Sequence, residues 1–489
     1  YTLDIKAGSA AGATVASYTA PLSAFSGQAL AVLASGLFGG TDDATKFALV
    51  AFPVTGGQGV VLPVTTAKVQ VIHNSPGAPN VDVWINGSTV PGLTNVPFRV
   101  ASPFLDVPVT PAPTTVQIAV AGTTNIVSTD QVTLSPNTSY RAIATGIVGS
   151  TVAGQGFAVT YSAAATANTT NTGLDIYHSS PNAPAVGVVA RGVATLVSSF
   201  AFKDAPTFVA VPSNLYTIDI KAGNATGATV ASYTAPLALF PNQNIAVIAS
   251  GIFGGTNPAT SFGLVAFPAG GGEGILLPVA TAKVQVIHNS PGAPAVDVWI
   301  NGSTVAGLTN VPFRVASPFL DVPVTPAPTT VQIAVAGTTN IVSTSTVTLN
   351  PGATYRAIAT GIVGSTVSGQ GFTVNYSAAN ISTTTGNTRL DIYHSSPTAP
   401  AVGVVAKGVT TLVGSFDFLD APVSVSVPVS VYYLDINAGN AAGATVATYT
   451  APLSGFADQA LAVVASGLFG GSDDATKFAL VAFPVSGGV

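Results

Sequence analysis

The stretch Val69-Gln-Val-Ile-His-Asn-Ser-Pro-Gly-Ala-Pro-Asn-Val-Asp-Val-Trp84 reads as strand, turn, strand, and crowds His73, Ser75 and Asp82 together. Successive side chains of a strand point to opposite faces, so Val69, Val71 and His73 share one face and Gln70 and Ile72 the other. The prolines fix φ and push each preceding residue toward extended geometry, which makes Ser-Pro-x-Ala-Pro a stiff corner. Ser75, beside Pro76, is placed to cap or nucleate that turn through its hydroxyl.

Repetition decides how to read the corner. The segment AKVQVIHNSPGAP starting at Ala67 returns from Ala282, an offset of 215 residues, and the match runs almost unbroken to Ser377. A second unit opens at Leu174-Asp-Ile-Tyr-His-Ser-Ser-Pro-Asn-Ala-Pro and returns at Leu390, an offset of 216. Both units run strand, His, Ser-Pro-x-Ala-Pro, strand, and both later carry an alternating stretch rich in glycine, Ala142 to Gly149 in one and Ala246 to Gly254 in the other. With the two types called A and B, the chain divides into a C-terminal part of a B sandwich (1–66), A (67–170), B (171–281), A (282–385) and B (386–489). Tandem repetition of this kind is the signature of an array of domains.

Tyr1-Thr-Leu-Asp-Ile-Lys-Ala-Gly8 matches Tyr216 to Gly223, so the chain opens in the middle of a B domain and lacks about the first 45 residues of it. A partial sandwich exposes its apolar inner face and unpaired strand edges. Either the sequence is a window onto a longer array, or another molecule supplies the missing strands. The B sandwich at 386–489 has no spare half to donate, which weighs against a reciprocal swap and toward the window. The sequence has no methionine, which fits a processed chain or an interior portion.

In the first A unit, strand signals fall at 68–73, 81–86, 94–100, 103–109, 114–120, 131–134, 139–147 and 156–161, separated by turns rich in Pro, Gly, Asn or Thr. Such a series predicts an all-β fold of tandem immunoglobulin-like antiparallel β-sandwiches. The cysteine and tryptophan signature of antibody domains is missing, so only the architecture is inferred. Short Thr-rich linkers, 162–172 and 377–388, predict a semi-rigid rod.

Composition narrows function. Charged residues are 7% of the chain and apolar ones 47%, against about 25% charged in ordinary domains. The apolar residues lie in short runs, far below the ~18 needed for a spanning helix. A net charge of -5 with 14 Lys and Arg argues against nucleic acid, which requires a concentrated basic patch. The absence of cysteine removes disulfides and thiolate chemistry.

Taken with Val-Asp-Val-Trp-Ile-Asn-Gly and the late Tyr-Arg-Ala-Ile-Ala-Thr-Gly, the His-x-Ser-Pro-x-Ala-Pro core resembles the secreted bacterial and archaeal family known as domain of unknown function 4397. The resemblance spans essentially the whole chain and implies a secreted or surface location without implying an activity. The B units depart from it, with Ala185-Val-Gly-Val-Val189 replacing the stretch around Asp82 and Trp84, so a function needing those two residues could live only in A.

All four histidines, His73, His178, His288 and His394, take the same motif position, one per domain. A zinc site needs three or four ligands converging on one ion, which histidines on separate rigid sandwiches do not supply. No metal, cofactor or enzymatic activity is expected. The favoured reading is a structural corner made by His73, Ser75 and Pro76, by His178, Ser180 and Pro181, by His288, Ser290 and Pro291, and by His394, Ser396 and Pro397. Ligand contact and catalysis are the alternatives. Trp84 and Trp299 are the only tryptophans, expected in core or interface packing, with a carbohydrate platform as the rival. The acidic pair Asp42-Asp43 recurs at Asp473-Asp474 but not in the middle B domain, which favours a solvated turn over a calcium cage. Sequons at Asn86, Asn137, Asn168, Asn224, Asn301 and Asn380 fit exposed turns as readily as glycosylation.

With so few charges, much of the exterior must be Thr, Ser, Asn, Ala and Val, a surface that associates at little desolvation cost. The expected function is an extracellular structural protein, a subunit or segment of a self-assembling cell-surface filament, fibre or sheath. Copies of itself are its main partners, with cell-surface or extracellular matrix components besides. A monomeric adhesin stalk or carbohydrate-binding surface protein is the alternative.

Overall fold

The computed structural model describes residues 1–489 except 41, 43, 111, 166–169 and 489. The described residues form strands joined by turns and three short 3-10 segments. Among the described residues no helix is long and apolar enough to cross a membrane. The chain divides into two compact units, Tyr1–Ala228 with Tyr233–Pro278, and Thr229–Ser232 with Val279–Val489.

In the first unit the A sandwich has a four-stranded antiparallel sheet in the order Ile126–Val132, Thr114–Val120, Val81–Ile85, Ser88–Thr89. Its second sheet runs Ala158–Ala163, Ser139–Thr145, Thr66–His73, and the far edge of Thr66–His73 is met by Val100–Ala101 and Leu105–Pro108. One pairing departs from the antiparallel expectation: Ser139–Thr145 runs parallel to Thr66–His73. The chain crosses to the other sheet at the corner and returns only after several strands, the long connection that parallel pairing needs. Val69, Val71 and Ala142 face Val83, Val116 and Ile118 to make the core.

Two strand expectations shift. Residues 94–100 give only Val100–Ala101, because Asn95 and Arg99 adopt left-handed φ of 56° and 62° that an extended strand cannot contain. The strand expected at 131–134 lies at Ile126–Val132.

The B sandwich of this unit places Thr207–Val211, Thr172–His178, Asn244–Ser250, Gly263–Phe267 and Ile275–Leu276 in one sheet, and Ala194–Phe200, Val186–Ala190 and Leu215–Ala222 in the other. Thr172–His178 is again parallel to its late partner, Asn244–Ser250. The partial B domain pairs Thr2–Lys6 with Thr14–Thr19 and forms a three-stranded sheet of Leu30–Ser35, Ala48–Pro53 and Val60–Val61. Tyr18, Ala20, Leu49, Ala51 and Leu62 form its small core.

The second unit repeats the plan. Thr281–His288 runs parallel to Thr354–Thr360 in the A sandwich, and Asn387–His394 parallel to Ala460–Ser466 in the B sandwich.

Inside each unit the A and B sandwiches pack sheet against sheet, not end to end as a rod would have them. Ile72, Ala101 and Ile143 of A pack on Tyr177, Ala246, Ile248, Val265 and Phe267 of B in the first unit. Ile287, Ala316 and Ile358 pack on Tyr393, Ala462, Val464 and Phe483 in the second. Both faces of these sheets are therefore covered, which is why strands such as Thr66–His73 are buried along most of their length.

Candidate functional site: the corner and the buried face beside it

His73 closes the strand Thr66–His73 and is almost fully buried. Its Nε2 lies 3.1 Å from the Pro79 carbonyl, and the Ser75 amide donates to Nδ1 at 3.3 Å. These partners assign the neutral tautomer protonated on Nε2. Phe98 meets the ring edge-on at 6.2 Å between centroids. Burial pulls the imidazole below its usual pKa, partly opposed by the bond to Pro79.

Ser75 Oγ donates to the Gly146 carbonyl at 2.6 Å, tying the corner to the start of the loop after Ser139–Thr145. Gly146 has φ of 79°, and a β-carbon there would come within 2.2 Å of the Gly156 carbonyl, so both the turn and the close approach require glycine. The same arrangement recurs in every complete sandwich. His178, His288 and His394 lie 3.0, 3.0 and 3.1 Å from the carbonyls of Pro184, Pro294 and Pro400. Ser180, Ser290 and Ser396 donate to Gly251, Gly361 and Gly467 at 2.7, 2.6 and 2.7 Å. Pro76, Pro181, Pro291 and Pro397 open the turns between. In the two B sandwiches Nδ1 of His178 and His394 is buried and has no hydrogen-bond partner among the described residues.

Serine and histidine are not set against each other as nucleophile and base: each is spent on a backbone carbonyl. Asp82 serves the same end. Its two carboxylate oxygens accept the Asn95 amide at 2.7 Å and the Gly122 amide at 2.9 Å, clamping two loops. At the matching B position, a β-carbon on Gly187 would lie 2.2 Å from the Ala225 amide nitrogen, which explains the loss of the aspartate there.

Trp84 and Trp299 do not join the core. Trp84 lies on the outer face of the four-stranded sheet, opposite Gln117 and Thr89, half-buried, with Nε1 unpartnered. Trp299 repeats it opposite Gln332 and Thr304. Their sheet is not the one that packs on B. Asp42 and Asp473 each cap the amide two residues on, at 2.9 and 3.0 Å, as turn residues do; Asp43 and Asn168 lie outside the described residues.

The polar cluster that sequence reading missed lies on the other face of the strand. Arg141, fully buried, donates through Nε to Gln70 Oε1 at 2.9 Å, reaches the Asn244 carbonyl at 3.2 Å and forms an ion pair with Asp175 of the B sandwich. Gln70 Nε2 donates to the carbonyls of Ser102 at 3.1 Å and Pro268 at 2.8 Å. Arg99 donates to Ser250 Oγ at 3.0 Å and to the Ser261 carbonyl at 2.7 Å, and Ser250 Oγ donates to Asn74 Oδ1 at 2.6 Å. Gly272–Glu273 of B adds as a short strand to Val100–Ala101 of A. The second unit repeats the set with Arg356, Gln285, Asp391 and Arg314. A signal was present: one arginine inside the apolar run Tyr140-Arg-Ala-Ile-Ala of a chain with 14 basic residues marks a buried, paired charge better than a solvated one.

The repeated corner and its Val-Asp-Val-Trp partner strand are the region a family model recognises: one described as domain of unknown function DUF4397 matches residues 67–189 and 282–405. The chain belongs to this family. Each match covers an A sandwich and the opening strands of the following B, so the family's repeat runs across the buried A–B face. It is narrower than the motif resemblance, which spans the chain. Among solved structures, the chain is similar to the Bacillus anthracis TIE protein at 9% identity, over 87% of this chain and 72% of that one, with a TM-score of 0.16. No curated protein matches it.

Proposed function

We propose that the protein is an extracellular structural protein, a subunit or segment of a self-assembling surface filament, fibre or sheath. The observation that carries this reading is the use made of weakly charged sheet faces. Within each unit, sandwiches join through an apolar patch with a buried ion pair beside it, Arg141–Asp175 or Arg356–Asp391, and 7% charge leaves much of the remaining surface similar in kind. Lateral contact between such faces removes few ions from water, so apolar burial at roughly 25 cal/mol per Å² is not cancelled by desolvation. On this reading the protein is not an enzyme, its partners are copies of itself together with cell-surface or matrix components, and its corners serve to keep each sandwich rigid.

Electron microscopy and sedimentation of the purified chain across a concentration series test the proposal. Regular polymers are expected; dispersed single particles at every concentration overturn it. The outward Trp84 and Trp299 favour a second reading, a carbohydrate-binding surface protein. Glycan-dependent quenching of their fluorescence in a dispersed protein would support it.

A further inference from the structure

The four-stranded sheet of each A sandwich is not the one that packs on B, and its outer face carries the same row of side chains in both copies. Cross-strand register sets Thr89, Trp84, Gln117 and Thr129 side by side in the first. Thr304, Trp299, Gln332 and Thr344 repeat the row in the second. Among the described residues the Gln117 amide and the hydroxyls of Thr89 and Thr129 have no hydrogen-bond partner, unlike the corner serines, which each hold a carbonyl. The B sandwiches fill the same row differently. Val189 stands at the position of Trp84, and opposite it Asp219 stands at that of Gln117. Asp219 is buried under Arg191, which donates to its two oxygens at 2.9 and 2.7 Å. Val405 and Asp435 repeat this arrangement, with Thr448 Oγ1 donating to Asp435 at 2.6 Å. On one fold, the row is closed by its own contacts in B and left open in A.

We propose that the face around Trp84, and its copy around Trp299, binds a neutral polysaccharide, with one pyranose ring on each indole. The chemistry of the face selects the ligand. A pyranose has an apolar C–H face and a rim of hydroxyls. The indole offers a flat apolar surface to the first, and Gln117 with the flanking threonines offers donors and acceptors to the second. The row has no charged side chain, and the carboxylate nearby, Asp82, already accepts two backbone amides, so nothing in it balances an anionic sugar. A second copy of the chain fits less well. Four strands about 4.8 Å apart, with Val81–Ile85 about 16 Å long, give a face of roughly 300 Å², against about 800 Å² per partner in a stable interface. The row also has a single large apolar side chain, where the core of a protein interface clusters several. The inference deepens the carbohydrate reading above, on which it rests, and is independent of the filament reading.

The test is calorimetric titration of the 489-residue chain with linear hexasaccharides of β-1,4-glucan, α-1,4-glucan and β-1,4-mannan, and with an anionic alginate hexasaccharide. At least one neutral sugar should bind at two sites per chain. Trp84→Ala and Trp299→Ala should each leave one site, and the double variant none. Gln117→Ala in the Trp299→Ala chain should weaken the remaining site about three- to tenfold, read also by the fluorescence of its one tryptophan. Neutral-sugar binding that survives the double variant, or binding of alginate alone, overturns the proposal and leaves the carbohydrate reading standing; no binding of any of the four overturns both. If a tryptophan variant fails to fold, the Gln117→Ala/Gln332→Ala chain decides instead, and unchanged affinity in it overturns the proposal.

Discussion

Replacing Arg141 with Met tests whether the A–B face is held by its ion pair or only by its apolar patch. The guanidinium is fully buried against Asp175, the Gln70 side chain and the Asn244 carbonyl. Methionine keeps the stem and removes the charge, leaving a buried carboxylate with lesser donors, the Asn244 side chain at 3.1 Å and the Ala165 amide at 3.4 Å. Breaking a buried pair in this way costs about 3–5 kcal/mol, most of it the desolvation of the charge left behind. The surviving donors to Asp175 place the effect near the lower figure.

At about 1.4 kcal/mol per factor of ten, native-state exchange of Ala142–Ala144 and Ala246–Ile248 should accelerate by about two to three orders of magnitude. Val83 and Ile118, in the sheet of A remote from the interface, should keep their protection. Asp175→Leu alone should cost a similar amount by stranding Arg141. The double variant Arg141→Met/Asp175→Leu should recover most of the loss, because an apolar pair of similar volume replaces an ionic one without leaving an orphan. Unchanged exchange in Arg141→Met, or strict additivity in the double variant, would refute the assignment of the interface to this pair.

The four corner histidines make stability depend on acid. Each is held below its usual pKa by burial, so the unfolded chain binds protons more readily. Stability is complete above pH ~6.5 and falls as pH drops below it, by at most about 1.4 kcal/mol per pH unit for each histidine. Urea unfolding at pH 7.5, 6 and 5 should show this slope, and His73→Gln should reduce it while lowering stability at pH 7.5; a flat profile contradicts the buried neutral corner. Gly146→Ala combines left-handed φ with a 2.2 Å approach to a carbonyl and should cost at least about 1–3 kcal/mol, read as a lower melting temperature. Asp82→Ala releases two backbone amides from a carboxylate, a loss of roughly 2–3 kcal/mol, and should raise exchange at Asn95 and Gly122 first.

The sandwich architecture was legible because its determinants are local. Alternation in Val69-Gln-Val-Ile-His, prolines that allow one backbone path, and recurrence at near-constant spacing each report on a few residues. The corner was legible in part: His73 ends its strand bonded to a backbone carbonyl, whereas the Ser75 hydroxyl, expected to cap its own turn, reaches the Gly146 carbonyl 71 residues on, a partner no local pattern names. That Trp84 lies outside the core was not legible, because periodicity fixes that Trp84 and Val83 lie on opposite faces, not which face is inward. Val83 took the core. The parallel pairing of first and late strands was hidden too, since register between strands distant in sequence leaves no local trace.

The low charge content and the missed cluster have one cause. A sheet with one solvated face carries polar side chains at alternate positions, and the strand Thr66–His73 offers Lys68, Gln70 and Ile72 on its second face. Lys68, near the strand's start, pairs with Asp106 and stays exposed; Gln70 and Ile72 pass under the neighbouring sandwich. Along one strand the face changes from surface to interior as B begins to cover it, and polarity changes with it. A buried face permits charge only where partners are built in: Arg141 opposite Asp175 and Arg356 opposite Asp391 are fully covered, while the half-buried Arg99 and Arg314 donate to serine hydroxyls and backbone carbonyls. Each pair draws one partner from A and one from B. A sandwich shifted on its neighbour by a single residue would strand both charges in the interior, so the pair fixes the alignment that the smooth apolar patch alone leaves free to slide.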